Sequence, residues 1–170
     1  HQDTDRKGDP HSPRDGFWRS HLLWMIQTDD SIHTREFSQK YALDLYRDNF
    51  HRFFNKYWWL PSTFLALIFF FIGGLPLVLW GMFVPVAVGL QFTWLVNSVC
   101  HRFGSRMFNT DDDSKNNWWV ALLTWGEGWH NNHHAKPTRA RHGLAWYQID
   151  PSWIMIRFLS LLGLAKSIKL

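Results

Sequence analysis

The sequence predicts an all-α protein that is integral to the membrane: a transmembrane helical hairpin with a helical cap on the cytoplasmic side. Two observations predict it. From Trp58 to Cys100 the chain contains no Asp, Glu, Lys, Arg or His, although polar, charged segments flank the run on both sides. The flanks also carry basic residues, Arg47, Arg52 and Lys56 before the run and Arg102 and Arg106 after it, whereas its middle carries no charge.

In order, residues 1–57 read as a cytoplasmic loop and an interfacial helix. His1 to Arg19 is rich in Asp, Pro, Gly and Arg and has no hydrophobic period, so it reads as loop. His21 to Ile26 is a short apolar patch. From Thr34 to Asn55, apolar residues at Phe37, Tyr41, Leu45, Phe50, Phe53 and Phe54 follow a near-helical spacing with charges between them, which predicts an amphipathic helix on the membrane surface. The opening on a polar His1 rather than Met reads as the middle of a longer protein.

Residues 58–100 read as the hairpin. At about 1.5 Å per residue the run makes roughly 64 Å of helix, or about two crossings of a hydrocarbon core ~30 Å thick. Gly73-Gly74-Leu75-Pro76 and Trp80-Gly81 supply the break. The basic flanks place both ends in the cytoplasm by the positive-inside rule. The mean hydropathy of -0.26 averages over these unlike segments and hides the run.

Residues 101–170 read as the cap. Asn109 to Ser114 is a polar turn whose three Asp residues are placed to cap a following helix, Trp118 to Trp125 is an apolar helical start, and Pro151 to Leu164 is an amphipathic stretch with Pro at its entrance. The single cysteine, Cys100, reads as a small buried hydrophobe and allows no internal disulfide. A net charge of +4 with scattered basic residues lacks the clustered basic face of a nucleic-acid binder.

The histidines carry the chemistry. In Gly126-Glu127-Gly128-Trp129-His130-Asn131-Asn132-His133-His134, a helix brings His130 to the same side as His133 and His134. Converging neutral imidazoles suit iron, copper, nickel or zinc. Asn97 and His101, four apart at the cytoplasmic end of the second membrane helix, can face the same centre, the Asn through a bound water. His11 and His21 read either as outer hydrogen-bond partners of the ligands or as solvated loop residues. His33, His51 and His142 read as surface or interfacial. Glu127 reads as orienting a histidine rather than binding metal. The cap is thus expected to carry a cytoplasm-facing, histidine-rich metal site.

Taken together, several segments resemble the membrane fatty acid desaturases, closest to the Δ9, stearoyl type. They are Asp9-Pro10-His11-Ser12, Gly16 to Trp24, Thr93-Trp94-Leu95-Val96-Asn97-Ser98 with His101, and Gly126 to His134. Ala140-Arg141-His142-Gly143-Leu144 with Trp146-Tyr147-Gln148-Ile149-Asp150 resembles the bacterial and plant branch. The resemblance implies a di-iron centre held by nine histidines, eight in three boxes plus one more. His101 matches the extra ligand, His130, His133 and His134 match the third box, and Asn97 matches an Asn that reaches a metal through water. Thr93 and Trp94 match residues beside the acyl tunnel. The first box is absent, and the second would end at or just before His1, whose spacing to Asp9-Pro10-His11 suits its last histidine.

What the resemblance implies for the complete protein is O2-dependent dehydrogenation of a saturated acyl chain at two iron ions, with zinc able to fill the same ligands. The acyl donor would be a CoA thioester, an acyl carrier protein or a membrane lipid, and electrons would come from a carrier such as cytochrome b5 or ferredoxin. At least four implied ligands lie outside this sequence, so the chain alone is expected to be inactive. The rival readings are a related membrane hydroxylase and a truncated, non-catalytic relative.

Overall fold

The computed structural model describes residues 4–6, 9, 11–26, 39 and 42–169. The described residues are helical and contain no β-strand, with isolated bridges joining Ser105 to Asn116 and Asn116 to Trp129. The chain divides into two compact units, one formed by His1–Ile26 with Leu90–Leu170 and the other by Gln27–Gly89.

In the second unit, the expected amphipathic helix is two short helices where it is described, Leu43–Arg47 and Asn49–Lys56. Asp48 separates them because its backbone is extended and its side chain accepts the Phe50 N–H, capping the second helix. Most of residues 27–41, including His33, lies outside the described residues.

The apolar run from Trp59 to Ser98 is 40 residues of mean hydropathy 2.3, long enough and apolar enough to cross a membrane, and only 6% of its most apolar stretch is buried. Water does not tolerate so much exposed Phe, Leu and Ile on a helix, so this surface calls for an apolar solvent. The run breaks where expected. Gly73 and Gly74 leave helical geometry, Gly74 with φ of 65°, and Pro76 follows without a donor N–H. A Cβ built on Gly81 would lie 2.9 Å from the Phe69 ring. In a straight helix these positions would be about 18 Å apart, so the chain turns back between them. A π-helical turn, Leu79–Phe83, leads into the helix Val84–Ser98.

In the first unit, a small core of Val96, Val99, Cys100 and Val120 packs with Phe17 and Leu95. Cys100 is fully buried, as a small hydrophobe should be. The opening segment is more ordered than a loop: Pro13–Asp15 is a 3-10 turn capped by Ser12, and a π-helical turn Arg19–Leu23 runs on into Trp24–Ile26. The remaining helices are Trp118–Leu123, His130–Ala135 and Pro151–Leu161. The last has Asp150 as its cap and Pro at its first turn, as its sequence predicts. Asp111 to Asp113 do not cap Trp118–Leu123. Asn117 does so, accepting the Val120 N–H, which leaves Asp112 and Asp113 free for the contacts below.

Candidate metal centre

The histidine box is built on close backbone approaches. After Trp118–Leu123 the chain turns through Trp125 and Gly126, both at positive φ. It then runs back so tightly that a Cβ on Gly128 would lie 2.1 Å from the Ala121 backbone nitrogen. Only glycine fits there. The Asn117 N–H donates to the Gly128 carbonyl at 2.8 Å, and the box helix His130–Ala135 follows at once.

The two residues between the box histidines are its fasteners. Asn131 is fully buried, and its carbonyl oxygen accepts the backbone N–H groups of Met107 and Phe108, both at 2.8 Å. Asn132, equally buried, accepts from Asn116 Nδ2 at 2.7 Å and donates to the His142 carbonyl and to Gln148 Oε1, both at 2.8 Å. Thus one helical turn ties down the loops on either side of it.

Three imidazoles converge. His130 Nε2 lies 3.0 Å from His101 Nε2 and 3.0 Å from His134 Nε2. The outer nitrogens of two of them face carboxylates: His101 Nδ1 is 2.7 Å from Asp5 Oδ2, and His134 Nδ1 is 2.5 Å from Asp112 Oδ2. A carboxylate can only accept, so Nδ1 carries the proton and, in the neutral ring, Nε2 presents its lone pair inward. Asp5 is itself fixed by the Asp113 N–H at 2.9 Å, and Arg14 joins the loops by donating to Asp113 at 2.6 Å. The trio opens on a cavity of about 130 Å³ lined also by Asp5, Asp9, His11 and Asn97.

The electrostatics prepare the rings for a cation. Burial, reinforced by the neighbouring His134 and His101, holds His130 well below the ordinary imidazole value. Burial and then His142 bring His133 down to about 4. Burial also lowers His134, although the Asp112 hydrogen bond opposes it. Burial works against Asp112 and Asp5, but their hydrogen bonds win and hold both below the usual carboxylate value. At neutral pH the box imidazoles are therefore neutral, the state in which histidine binds metal, and His134 is in addition backed by an anion, Asp112.

The other residues singled out in the sequence lie as follows. Asn97 lines the cavity beside His101. His11 lines it too, bonded to Asp9 at 2.9 Å and edge-on to Trp24. His21 stands elsewhere, buried, with one ring nitrogen 2.9 Å from Ser98 Oγ and the other 3.1 Å from Gln91 Oε1, and it packs edge-on to the buried Trp94. Thr93 is exposed. His51 is exposed and paired with Asp48, as a surface histidine should be. His133 is outside the group of meeting nitrogens, although its ring lies 5.7 Å from that of His134 and 5.9 Å from that of His130 between centroids, and it meets the His142 ring at 4.6 Å. His142 is therefore not the surface residue expected, but half-buried against the box. Glu127 lies 3.9 Å from His142 Nδ1 and does not face the trio. His1 lies outside the described residues.

Sequence reasoning missed Asp5 and Asp112. A ligating imidazole calls for an outer acceptor, but nothing local in the sequence says which loop acid serves which ring.

The donor set fits a transition metal. Two nitrogens each about 2.1 Å from one ion, at right angles around it, stand about 3.0 Å apart. That is the spacing of His130 to each of its neighbours. The helical fold, the membrane-length apolar run and the converging imidazoles define a class: a membrane-type helical protein with a histidine cluster suited to a transition-metal ion. The model of the fatty acid desaturase family matches residues 1–157, and the chain belongs to that family.

Three relatives illustrate its range. A palmitoyl-monogalactosyldiacylglycerol delta-7 desaturase of Arabidopsis thaliana chloroplasts is 48% identical over 100% of this chain and 46% of its own length. An sn-1 stearoyl-lipid 9-desaturase of Synechocystis is 48% identical over 100% of this chain and 52% of its own. An acyl-CoA C20 Delta5-desaturase of Anemone leveillei is 46% identical over 99% of this chain and 54% of its own. The chain spans about half the length of the curated relatives it matches.

Proposed function

We propose that the full-length protein is an acyl desaturase that introduces a cis double bond, at Δ9, into a saturated acyl chain. The observation that carries this reading is the meeting of His101, His130 and His134 nitrogens in a chain of the desaturase family. His101, His130 and His134 would hold one ion, with Asn97 beside them through a water. His133, which is outside that group, would serve a second ion whose other ligands, His1 among them, come from outside the described residues. Two iron ions, when bound, supply O2 activation and the removal of two hydrogens from adjacent methylene carbons, with electrons from a carrier such as cytochrome b5 or ferredoxin; zinc in their place would leave a folded but inactive protein.

This chain's own residues orient and insulate that chemistry. Asp5 and Asp112 fix the tautomers of His101 and His134, so their inner nitrogens are unprotonated. Asn131 and Asn132 hold the box helix against the surrounding loops. Thr93 and Trp94 on the second apolar helix would border the acyl chain. The acyl donor is an acyl-lipid or acyl-CoA, the two kinds that the relatives' names print.

The apolar run is read as a transmembrane hairpin. Two contacts support this independently of charge: His101 to Asp5, and Arg14 to Asp113. Each joins a residue before the run to one after it, so both flanks share one side of the bilayer and the run crosses an even number of times. The fold-back at Gly73 and Gly74 supplies the turn, and the basic flanks put the metal side in the cytoplasm.

The test is gas chromatography of fatty acids from a desaturase-deficient host expressing the full-length gene. A new monounsaturated acid that disappears with His133→Ala is expected, and its double-bond position checks the Δ9 assignment. A hydroxylated product would instead assign a membrane hydroxylase. No product from an iron-loaded protein supplied with its electron donor would overturn the enzymatic reading.

A further inference from the structure

The loop after the box helix carries an arrangement for which the reaction as described has no use. Its product is the placement of one ring, that of His142, on the ring of His133. The backbone of His142 is gripped on both sides. Its N–H donates to Asp150 Oδ2 at 2.8 Å, and its carbonyl accepts from Asn132 Nδ2 at 2.8 Å. Gly143 donates to the same Asp150 oxygen at 3.0 Å, and a Cβ there would lie 2.4 Å from the Gln148 carbonyl. Asn132, Gln148 and Asp150 are all buried. A surface histidine would not need such a cradle.

The 4.6 Å between the His133 and His142 centroids falls between the 4.3 Å of His130–His134 and the 4.9 Å of His101–His130, the two pairs whose nitrogens meet. Behind His142, at 3.9 Å from its Nδ1, stands the Glu127 carboxylate. His101 has Asp5 at its outer nitrogen and His134 has Asp112, whereas His133 has the His142 ring packed against it at a 44° tilt, with the Glu127 carboxylate beyond.

We infer that His142, backed by Glu127, is the positioning residue of His133: by packing against that ring it holds it in the orientation a metal ion requires, a task that Asp5 and Asp112 perform by hydrogen bonds for His101 and His134. The inference rests on the proposed di-metal reading. Outer partners of metal-bound histidines are typically worth 10–100-fold in metal affinity, and an imidazole left to rotate about its χ2 bond loses the direction of its donor nitrogen.

The test is metal release from the purified full-length membrane protein under a chelator challenge, with bound metal counted per chain. In His142→Ala one of two ions is expected to leave roughly 10–100-fold faster than in wild type, while the other leaves at the wild-type rate and so reports an intact fold. His142→Phe, which keeps a planar ring against His133, should recover part of the loss. Glu127 is exposed, so Glu127→Gln does not threaten the fold, and it should weaken the same ion by a smaller factor. If His142→Ala loses both ions, Glu127→Gln decides: selective weakening of one ion upholds the inference, and wild-type release overturns it. Wild-type release in both variants overturns it as well. A wild-type protein that holds only one ion would overturn the di-metal reading and this inference with it.

Discussion

Replacing Asn132 by Leu should destabilise the protein by about 4 kcal/mol without removing a metal ligand. The side chain is fully buried and makes three side-chain hydrogen bonds of 2.7–2.8 Å. Leucine matches its size and leaves no room for water. Gln148 Oε1 would keep its bond from the Ala145 N–H at 2.9 Å, but Asn116 Nδ2 and the His142 carbonyl would lose the partners recorded here. Each buried group so orphaned costs about 1–3 kcal/mol, and the half-satisfied Gln148 adds less. For a domain of this size about 4 kcal/mol corresponds to a fall of roughly 10 °C in Tm. The assay is a thermal challenge in detergent followed by size-exclusion chromatography. A shift below about 2 °C for the leucine variant would mean that the network is neither dry nor taut, and the account of the box as a fastener would fail.

Other perturbations test separate parts of the site. Asp112→Asn keeps the shape of the acceptor but removes the charge behind His134, and should lower affinity for the ion at the trio roughly 10–100-fold in a chelator competition. Gly128→Ala should abolish folding of the cap, because the added Cβ meets backbone atoms of Ala121 and Asn117 rather than a movable side chain; normal yield and Tm would refute the close approach. In metal-free protein, acidification should cost stability. His133 titrates near 4 when folded and from about 6.5 when unfolded, so the unfolded chain binds the extra proton first. Stability should be flat above about pH 6.5 and decline as the pH falls from there towards 4, read as Tm against pH; a flat profile across that window would count against the buried, neutral His133.

What was legible in the sequence follows from what is local. The apolar run announces itself because a helix of Phe, Leu and Ile needs an apolar surrounding, and its break is written in Gly73, Gly74 and Pro76. The convergence of His130 and His134 is a matter of helical spacing, and the His101 contribution follows from its place at the end of the apolar run. The supports of the site were not legible, because they are choices among distant partners. Asp5 could serve His101 only once the chain had folded across 96 positions. Asp112 looked like a helix cap because three acids preceded a helix, and the cap went instead to Asn117, which is nearer the first turn. Asn131 and Asn132 attract no reading of their own in the sequence, yet each is more buried than any of the box histidines. His142 read as a surface residue because nothing adjacent in sequence reveals the grip of Asp150 and Asn132.

The bond between Asp5 and His101 also sets an order of events in biosynthesis. Asp5 leaves the ribosome 96 residues before its partner. At about 5–20 residues per second it waits roughly 5–20 s, while the apolar run between them is made. His130 comes another 29 residues later. No early folding intermediate can therefore bring the complete trio together, and on the proposed metal reading a nascent chain could not offer this full ligand set before the apolar run has been made. On that reading loading would be the last step of assembly, and the cell's supply of metal would matter at that moment rather than during synthesis.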